Sequence, residues 1–256
     1  MDLRIAGCNG GETPEEGLPA FVVDGVLAID AGALTRALTI KEQLALTHVL
    51  VTHAHLDHVR DLATILDTRA QLGASALTVC GTAATLRVLK EDLFSGRLWP
   101  DFSRIPSKES PSLAYQLIPE NKAVLLGKYS VRAVPVNHCT GAVGYVVTRG
   151  KSGFACTGDT STTDAFWSVV EGDPAIKLVL AEVSFPSDLE TFAQVSQHYT
   201  PALLARDIAK APRMREVPMG LYHIKPAYRA RTERDCAKAF KAGDTFVAKD
   251  GDLFKI

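Results

Sequence analysis

Apolar residues return along this chain in two rhythms. Leu3-Arg4-Ile5-Ala6-Gly7, Phe21-Val22-Val23 and Val26-Leu27-Ala28-Ile29 are short runs of strand length and make-up. Asp24-Gly25 separates the last two, and Asp-Gly supplies the positive φ values of a tight hairpin turn. His48-Val49-Leu50-Val51 reads as a buried strand, and further strands are predicted over 129–136, 144–148, 154–157, 177–181, 219–222, 245–248 and 253–256. The other rhythm is helical. Leu62, Ile65 and Leu66 recur at three- and four-residue spacing and predict a helix over 59–72. Thr200-Pro201 opens another, with a hydroxyl cap followed by a proline whose missing N–H costs nothing there, and Leu203, Leu204 and Ile208 form its buried face. Between them, residues 95–112 hold Gly96, Pro100, Pro106, Pro111 and five serines, and read as a long loop. Strands and helices alternate without an internal repeat, which predicts layered α/β structure with mixed sheets.

Composition narrows the setting. A chain of 256 residues, 46% hydrophobic and 22% charged, suits one domain over 1–256 with an ordinary core. No apolar stretch approaches the roughly 20 residues of a membrane span. Met1-Asp2-Leu3-Arg4-Ile5 enters a strand without a basic start or apolar core, so no secretory signal is read. A formal charge of −1 gives no general attraction to nucleic acid or anionic membrane. Cysteines at 8, 80, 139, 156 and 236 show no paired spacing, and their odd number argues against a disulfide framework. The expectation is a reduced, cytoplasmic protein.

Chemistry concentrates in six positions. His53-Ala54-His55-Leu56-Asp57-His58 joins the buried strand to the helix and holds three of the seven histidines. Imidazole and carboxylate are the donors that Zn²⁺ and similar divalent ions prefer. On an extended segment His53 and His55 share a face and can grip one ion, while Asp57 and His58 turn toward another. A lone histidine here would be read as solvated; the cluster favours metal. His138, Asp159, Glu182 and His223 each follow a predicted strand, where sheet proteins assemble sites. A strand-end aspartate is by itself more often a turn former, so the conjunction carries the reading.

The His-x-His-x-Asp-His run at 53–58, together with Ile29-Asp30-Ala31-Gly32, His138, Asp159 and His223 in that order, resembles the metallo-β-lactamase superfamily. The resemblance implies an αββα sandwich of two mixed β-sheets flanked by helices, with two divalent metal ions at the sheet edge. It assigns His53, His55 and His138 to the first ion, Asp57, His58 and His223 to the second, and Asp159 to both. Asp159 stands where the lactam-hydrolysing branch carries cysteine, and Asp61 where the family often has glycine. Leu98-Trp99-Pro100, Glu182-Val183-Ser184-Phe185-Pro186, Ser196-Gln197-His198-Tyr199-Thr200-Pro201 and His223-Ile224-Lys225-Pro226 are similar to the class II cyclic-nucleotide phosphodiesterases. That group implies hydrolysis of 3′,5′-cyclic nucleotides to 5′-nucleotides, Asp57 and His198 as catalytic residues, and the option of a homodimer.

Two divalent ions roughly 3.5–4 Å apart can share a water and bring its pKa to about 7, giving a nucleophile for attack on phosphorus. Zn²⁺ is the first expectation, with Mn²⁺ and Fe²⁺ compatible with the same donors. Ser184 and the cysteines lack a neighbouring base pattern, which disfavours covalent catalysis. His198 is the candidate proton donor, against the reading of a surface histidine before a helix. Lys225 shares a face with His223 on an extended segment and is the candidate phosphate contact, against that of a solvated lysine. Residues 213–241 carry eight Lys or Arg against three acids, a local excess that draws in phosphate or is simply the wet side of a helix. Trp99 and Phe102 are candidates for stacking on a base, with core anchoring preferred for Trp99, and Cys139 is expected to point away from His138 as a small buried residue. The partner is then a small-molecule phosphodiester, with neither nucleic acid nor membrane. Ribonuclease Z-like or thioester hydrolysis, and a metal-binding scaffold without catalysis, are the competing readings.

Overall fold

The computed structural model describes residues 1–240 and 245–256; Lys241, the last member of the basic run, lies outside them. The first sheet is built from β14 (Leu253–Lys255), β1 (Asp2–Gly7), β2 (Ala20–Val23), β3 (Leu27–Ile29), β4 (His48–Leu50), β5 (Leu77–Gly81) and β6 (Leu113–Leu117), in that spatial order. The second runs β13 (Thr245–Val247), β12 (Met219–Tyr222), β11 (Ile176–Glu182), β10 (Ser152–Cys156), β9 (Val143–Arg149), β8 (Tyr129–Pro135) and β7 (Ala123–Leu126). β14, β1, β2 and β3 pair antiparallel, and β3 through β6 pair parallel. The second sheet repeats the series: antiparallel from β7 to β10, parallel from β10 to β13.

Alternation along each strand explains the layering. Leu3 and Ile5, Phe21 and Val23, and Leu27 and Ile29 face Val143, Tyr145, Val147, Phe154, Cys156, Leu178 and Leu180 in one core between the sheets. The residues between them are apolar too. Ala20, Val22 and Ala28 meet Leu62, Ile65 and Leu66 of the helix Leu56–Gln71 outside the first sheet. Val146, Ala155, Val179 and Ala181 meet Phe166, Trp167, Leu203 and Leu204 outside the second. Strands apolar on both faces belong in a sandwich covered by helices, and the αββα architecture follows.

Several predicted elements form with shifted ends. Asp24 and Gly25 take φ values of 47° and 71°, the hairpin turn their sequence calls for. Thr200 caps the helix Pro201–Ile208 by accepting from Leu203 N. The helix expected over 59–72 starts at Leu56 instead, three residues earlier, so Asp57 and His58 ride on its first turn rather than on a connection. A carboxylate there is favoured by the helix dipole. Residues 95–112 hold no regular element: Phe102 is buried under them, and Trp99 Nε1 donates to Ala63 O of that helix at 3.2 Å. Among the described residues no helix is long and apolar enough to cross a membrane.

Candidate metal centre

Each donor reaches the site from the C-terminal end of a strand or from the turn beyond it. β4 ends at Leu50, and Val51-Thr52 lead into His53 and His55, after which the helix presents Asp57 and His58. His138 lies in the bend after β8, Asp159 three residues past β10, and His223 directly after β12. All seven converge. His53, His55 and His138 have ligand atoms within 4.8 Å of one another, and so do Asp57, His58, Asp159 and His223.

Asp159 lies between the two groups. Its Oδ2 is 3.3 Å from His58 Nε2, 3.2 Å from His223 Nε2 and 3.9 Å from His53 Nε2. Asp57 Oδ2 is 3.5 Å from His223 Nε2 and 3.8 Å from His58 Nε2. On the other side His55 Nδ1 meets His138 Nε2 at 3.1 Å. The Nε2 atoms of His53, His58 and His223 and Oδ1 of Asp159 are buried without a hydrogen-bond partner among the described residues. A bare buried polar atom costs about 1–3 kcal/mol, so four at one point need a common partner. A divalent cation is the group that fits imidazole and carboxylate lone pairs together.

A second layer of groups fixes which nitrogen faces inward. Asp30 Oδ2 holds His58 Nδ1 at 2.8 Å and also accepts from Thr52. Thr52 Oγ1 in turn lies 3.1 Å from His53 Nδ1. The Gln197 carbonyl accepts from His138 Nδ1 at 3.0 Å, and Ser184 Oγ sits 2.9 Å from His223 Nδ1. In all four rings Nδ1 is engaged and Nε2 is left for the centre, the pattern of metal-ligating histidines. His223 also takes φ +67°, an uncommon backbone for a residue with a Cβ. Its N–H donates to Cys8 O at 2.7 Å, and Gly10 packs so closely that a Cβ there would lie 2.4 Å from the His223 carbonyl. The N-terminal loop thus clamps a ligand from the far end of the chain.

Burial holds His53, His138 and His223 below the ordinary histidine range, and partial desolvation together with the neighbouring His138 lowers the more exposed His55, so these rings favour the neutral form that ligands need. On His58 burial is outweighed by Asp159 and Asp30, which push it up. On Asp159 burial is likewise outweighed, by His223 and His58, and the carboxyl is held well below its usual range.

The geometry coincides with a family pattern. The model of the β-lactamase superfamily domain matches residues 21–221. The chain belongs to the metallo-β-lactamase superfamily. A "probable 3′,5′-cyclic-nucleotide phosphodiesterase" of Yersinia pestis is 25% identical over 239 residues, 84% of this chain. The match spans 66% of that relative, just under two thirds of its length. Unliganded yeast PDE1 superposes with a TM-score of 0.80 at 18% identity, covering 98% of each chain. The short form of human tRNase Z superposes at 0.69 and 16% identity, covering 100% of this chain and 99% of its own. These two likenesses are of fold.

Beyond the seven donors, this superfamily member places four further groups at the centre. His198 is buried, and its ligand atom lies within 4.8 Å of those of His138 and Asp159. Glu182 Oε1 accepts from His198 Nδ1 at 2.9 Å and from the N–H groups of Thr160 and Tyr199. Ser184 Oγ donates to Oε2. Glu182, a strand-end ligand candidate by sequence, therefore has both oxygens engaged behind His198. Burial lowers His198, but the Glu182 carboxylate outweighs it and leaves the ring raised. Lys225 is half-buried, carries no ion pair among the described residues, and its charge is felt at both His198 and His223.

One open reading narrows and one expectation changes. Half of the basic run is engaged locally: Arg213 with Val170, Glu171 and Asp173, Arg229 with Glu16, Asn9 and Glu233, Arg231 with Asp188, Lys238 with Asp235. It is not an open positive field. Cys139 does not point away from the site. β8 stops at Pro135, the backbone bends through 136–142, and Sγ joins the group of His53, His55 and His138 within 4.8 Å. The alternation rule failed because the segment is not extended. Asp61, in place of the family's glycine, sits inside the helix and accepts from Thr35 N and Oγ1, both at 2.7 Å. Asp30 and Ser184 were present in the sequence without a visible role, since their partners lie 28 and 39 residues away.

Proposed function

We propose that this chain is a dinuclear-metal phosphodiesterase that hydrolyses 3′,5′-cyclic nucleotides, cAMP or cGMP, to 5′-nucleotides. His53, His55 and His138 would hold the first ion, Asp57, His58 and His223 the second, and Asp159 both. When bound, such a pair supplies Lewis acidity and an ionised water at neutral pH. The chain's own residues supply the rest. Asp30, Thr52, Ser184 and the Gln197 carbonyl keep four rings oriented, so little reorganisation is needed during reaction. Lys225 offsets charge on a non-bridging phosphate oxygen. Glu182 keeps the proton on His198 Nδ1, so Nε2 faces the site as a raised-pKa acid. As the bond from phosphorus to the 3′ oxygen breaks, His198 gives that oxygen its proton.

The observation that carries this reading is the Glu182–His198 pair beside the four orphaned ligand atoms, with Lys225, which has no ion pair among the described residues, next to it. The relative from Yersinia pestis supports the choice of substrate. Pairing of half the basic run leaves few free cations for a long polyanion such as RNA, whose binding draws on many. Five unpaired thiols suit a reducing compartment such as the cytoplasm. The test is a panel on the purified metal-loaded protein: cyclic nucleotides, a linear aryl phosphodiester, short RNA and a thioester. The cyclic nucleotide should give the highest kcat/KM. Preference for RNA or thioester overturns the substrate, and full loading without turnover of any ester makes the chain a scaffold.

A further inference from the structure

We infer that Cys139 is a further protein donor to the first metal ion, adding a thiolate to its three histidines and the shared Asp159. The inference rests on the metal reading above but not on the identity of the substrate. Sγ of Cys139 and the ligand nitrogens of His53, His55 and His138 all lie within 4.8 Å of one another. The second observation is independent of the cysteine: His53 Nε2, on a side chain only 1% exposed, is aimed into the same group with no partner.

The backbone holds the thiol there. Gly141 takes φ +81°, and a Cβ on it would lie 2.6 Å from Ala84 Cβ and 2.8 Å from Thr82 Oγ1. Its carbonyl accepts from Thr82 Oγ1 at 2.9 Å. The bend carrying Cys139 is therefore docked on the first half of the molecule, over the residues that follow β5. The other cysteines are engaged or buried elsewhere: Cys8 with Ala248 and Asp250, Cys156 with Tyr222, Cys80 and Cys236 in the cores.

The chemistry has two consequences. Binding transfers the thiol proton to solvent and forms one sulfur–metal bond, so no oxidant or reductant enters. A soft sulfur ligand tilts the first site toward Zn²⁺ and away from Mn²⁺. With Asp159 the first ion would have five protein donors, one more than the closed four-donor shell of structural zinc sites, so sulfur competes with water and with Asp159 for that ion.

The test loads the full chain with Co²⁺ and reads sulfur-to-cobalt charge-transfer absorption in the near ultraviolet. The band should appear in the wild type and in Cys156→Ala, and vanish in Cys139→Ala and Cys139→Ser. Zinc affinity of Cys139→Ala, measured against a chelator, should fall by about 10–100-fold, with manganese affinity changing less. Cobalt bound without the band, or a band that survives in Cys139→Ala, overturns the sulfur donor and leaves the histidine centre standing. No cobalt bound at all overturns both. Alkylation of the unsubstituted chain gives the answer without a variant: zinc should protect Cys139, and equal labelling with and without zinc refutes the inference.

Discussion

The two sheets repeat one series of pairings and give it opposite duties. In each, three antiparallel contacts are followed by three parallel ones, so β3 corresponds to β10 and β4 to β11. After β4 come the candidate ligands His53, His55, Asp57 and His58; β11 ends on Glu182, with Ser184 two residues beyond, and these hold His198 and His223 in place. The exchange runs the other way at the neighbouring strands. Asp30, just past β3, orients His58, whereas Asp159, just past β10, reaches the centre itself. Hydrophobic alternation fixes where a strand ends, and the residue that follows decides whether the position ligates or supports.

Four substitutions test that division, beginning with the greatest expected loss. Asp159→Ala should lose metal and turnover together, on the roughly 10⁴-fold scale of groups acting directly on reacting atoms; metal per chain and phosphodiester hydrolysis report it. Retention of both ions with full activity would end its role as shared ligand. His198→Ala should keep its metal and slow by roughly 10²–10⁴-fold, as for other acid catalysts. In the unsubstituted protein the rate should fall as pH rises through a His198 pKa displaced above about 6.5. That alkaline fall should be missing from the variant's pH profile.

Asp30→Ala probes a supporting aspartate against the ligating one. Metal affinity should drop about 10–100-fold, and excess metal should restore turnover, which it should not do for Asp159→Ala. Ser184→Ala removes a neutral partner from His223 Nδ1, worth about 1 kcal/mol, so a roughly fivefold weaker metal affinity is expected. An effect as large as that of Asp159→Ala would make Ser184 part of the chemistry rather than a support.

The convergence of the candidate ligands was legible in the sequence because His53 to His58 are contiguous and His138, Asp159 and His223 each follow a strand. The supporting layer was not, since the pairing of Asp30 with His58 depends on strand register. Cys139 was misread because alternation was extended past Pro135, where the strand has ended. Short elements were missed for want of a full period. Ile40–Ala45 has only six residues, although Thr39 and Glu42 form the capping box that signals its start. β7 lies at the sheet edge with Leu125 76% exposed, so its pattern does not stand out from a loop.

The clamp on His223 sets an order of events during synthesis. Its left-handed backbone is held by Cys8 and Gly10, yet it follows β12, more than two hundred residues downstream. Chains leave the ribosome N-terminus first, at about 5–20 residues per second. The Cys8–Gly10 loop therefore waits on the order of ten seconds or more for its counterpart. The nascent first half carries four of the seven candidate ligands, His53, His55, Asp57 and His58, and the groups they form with His138, Asp159 and His223 can assemble only after β12 has been made.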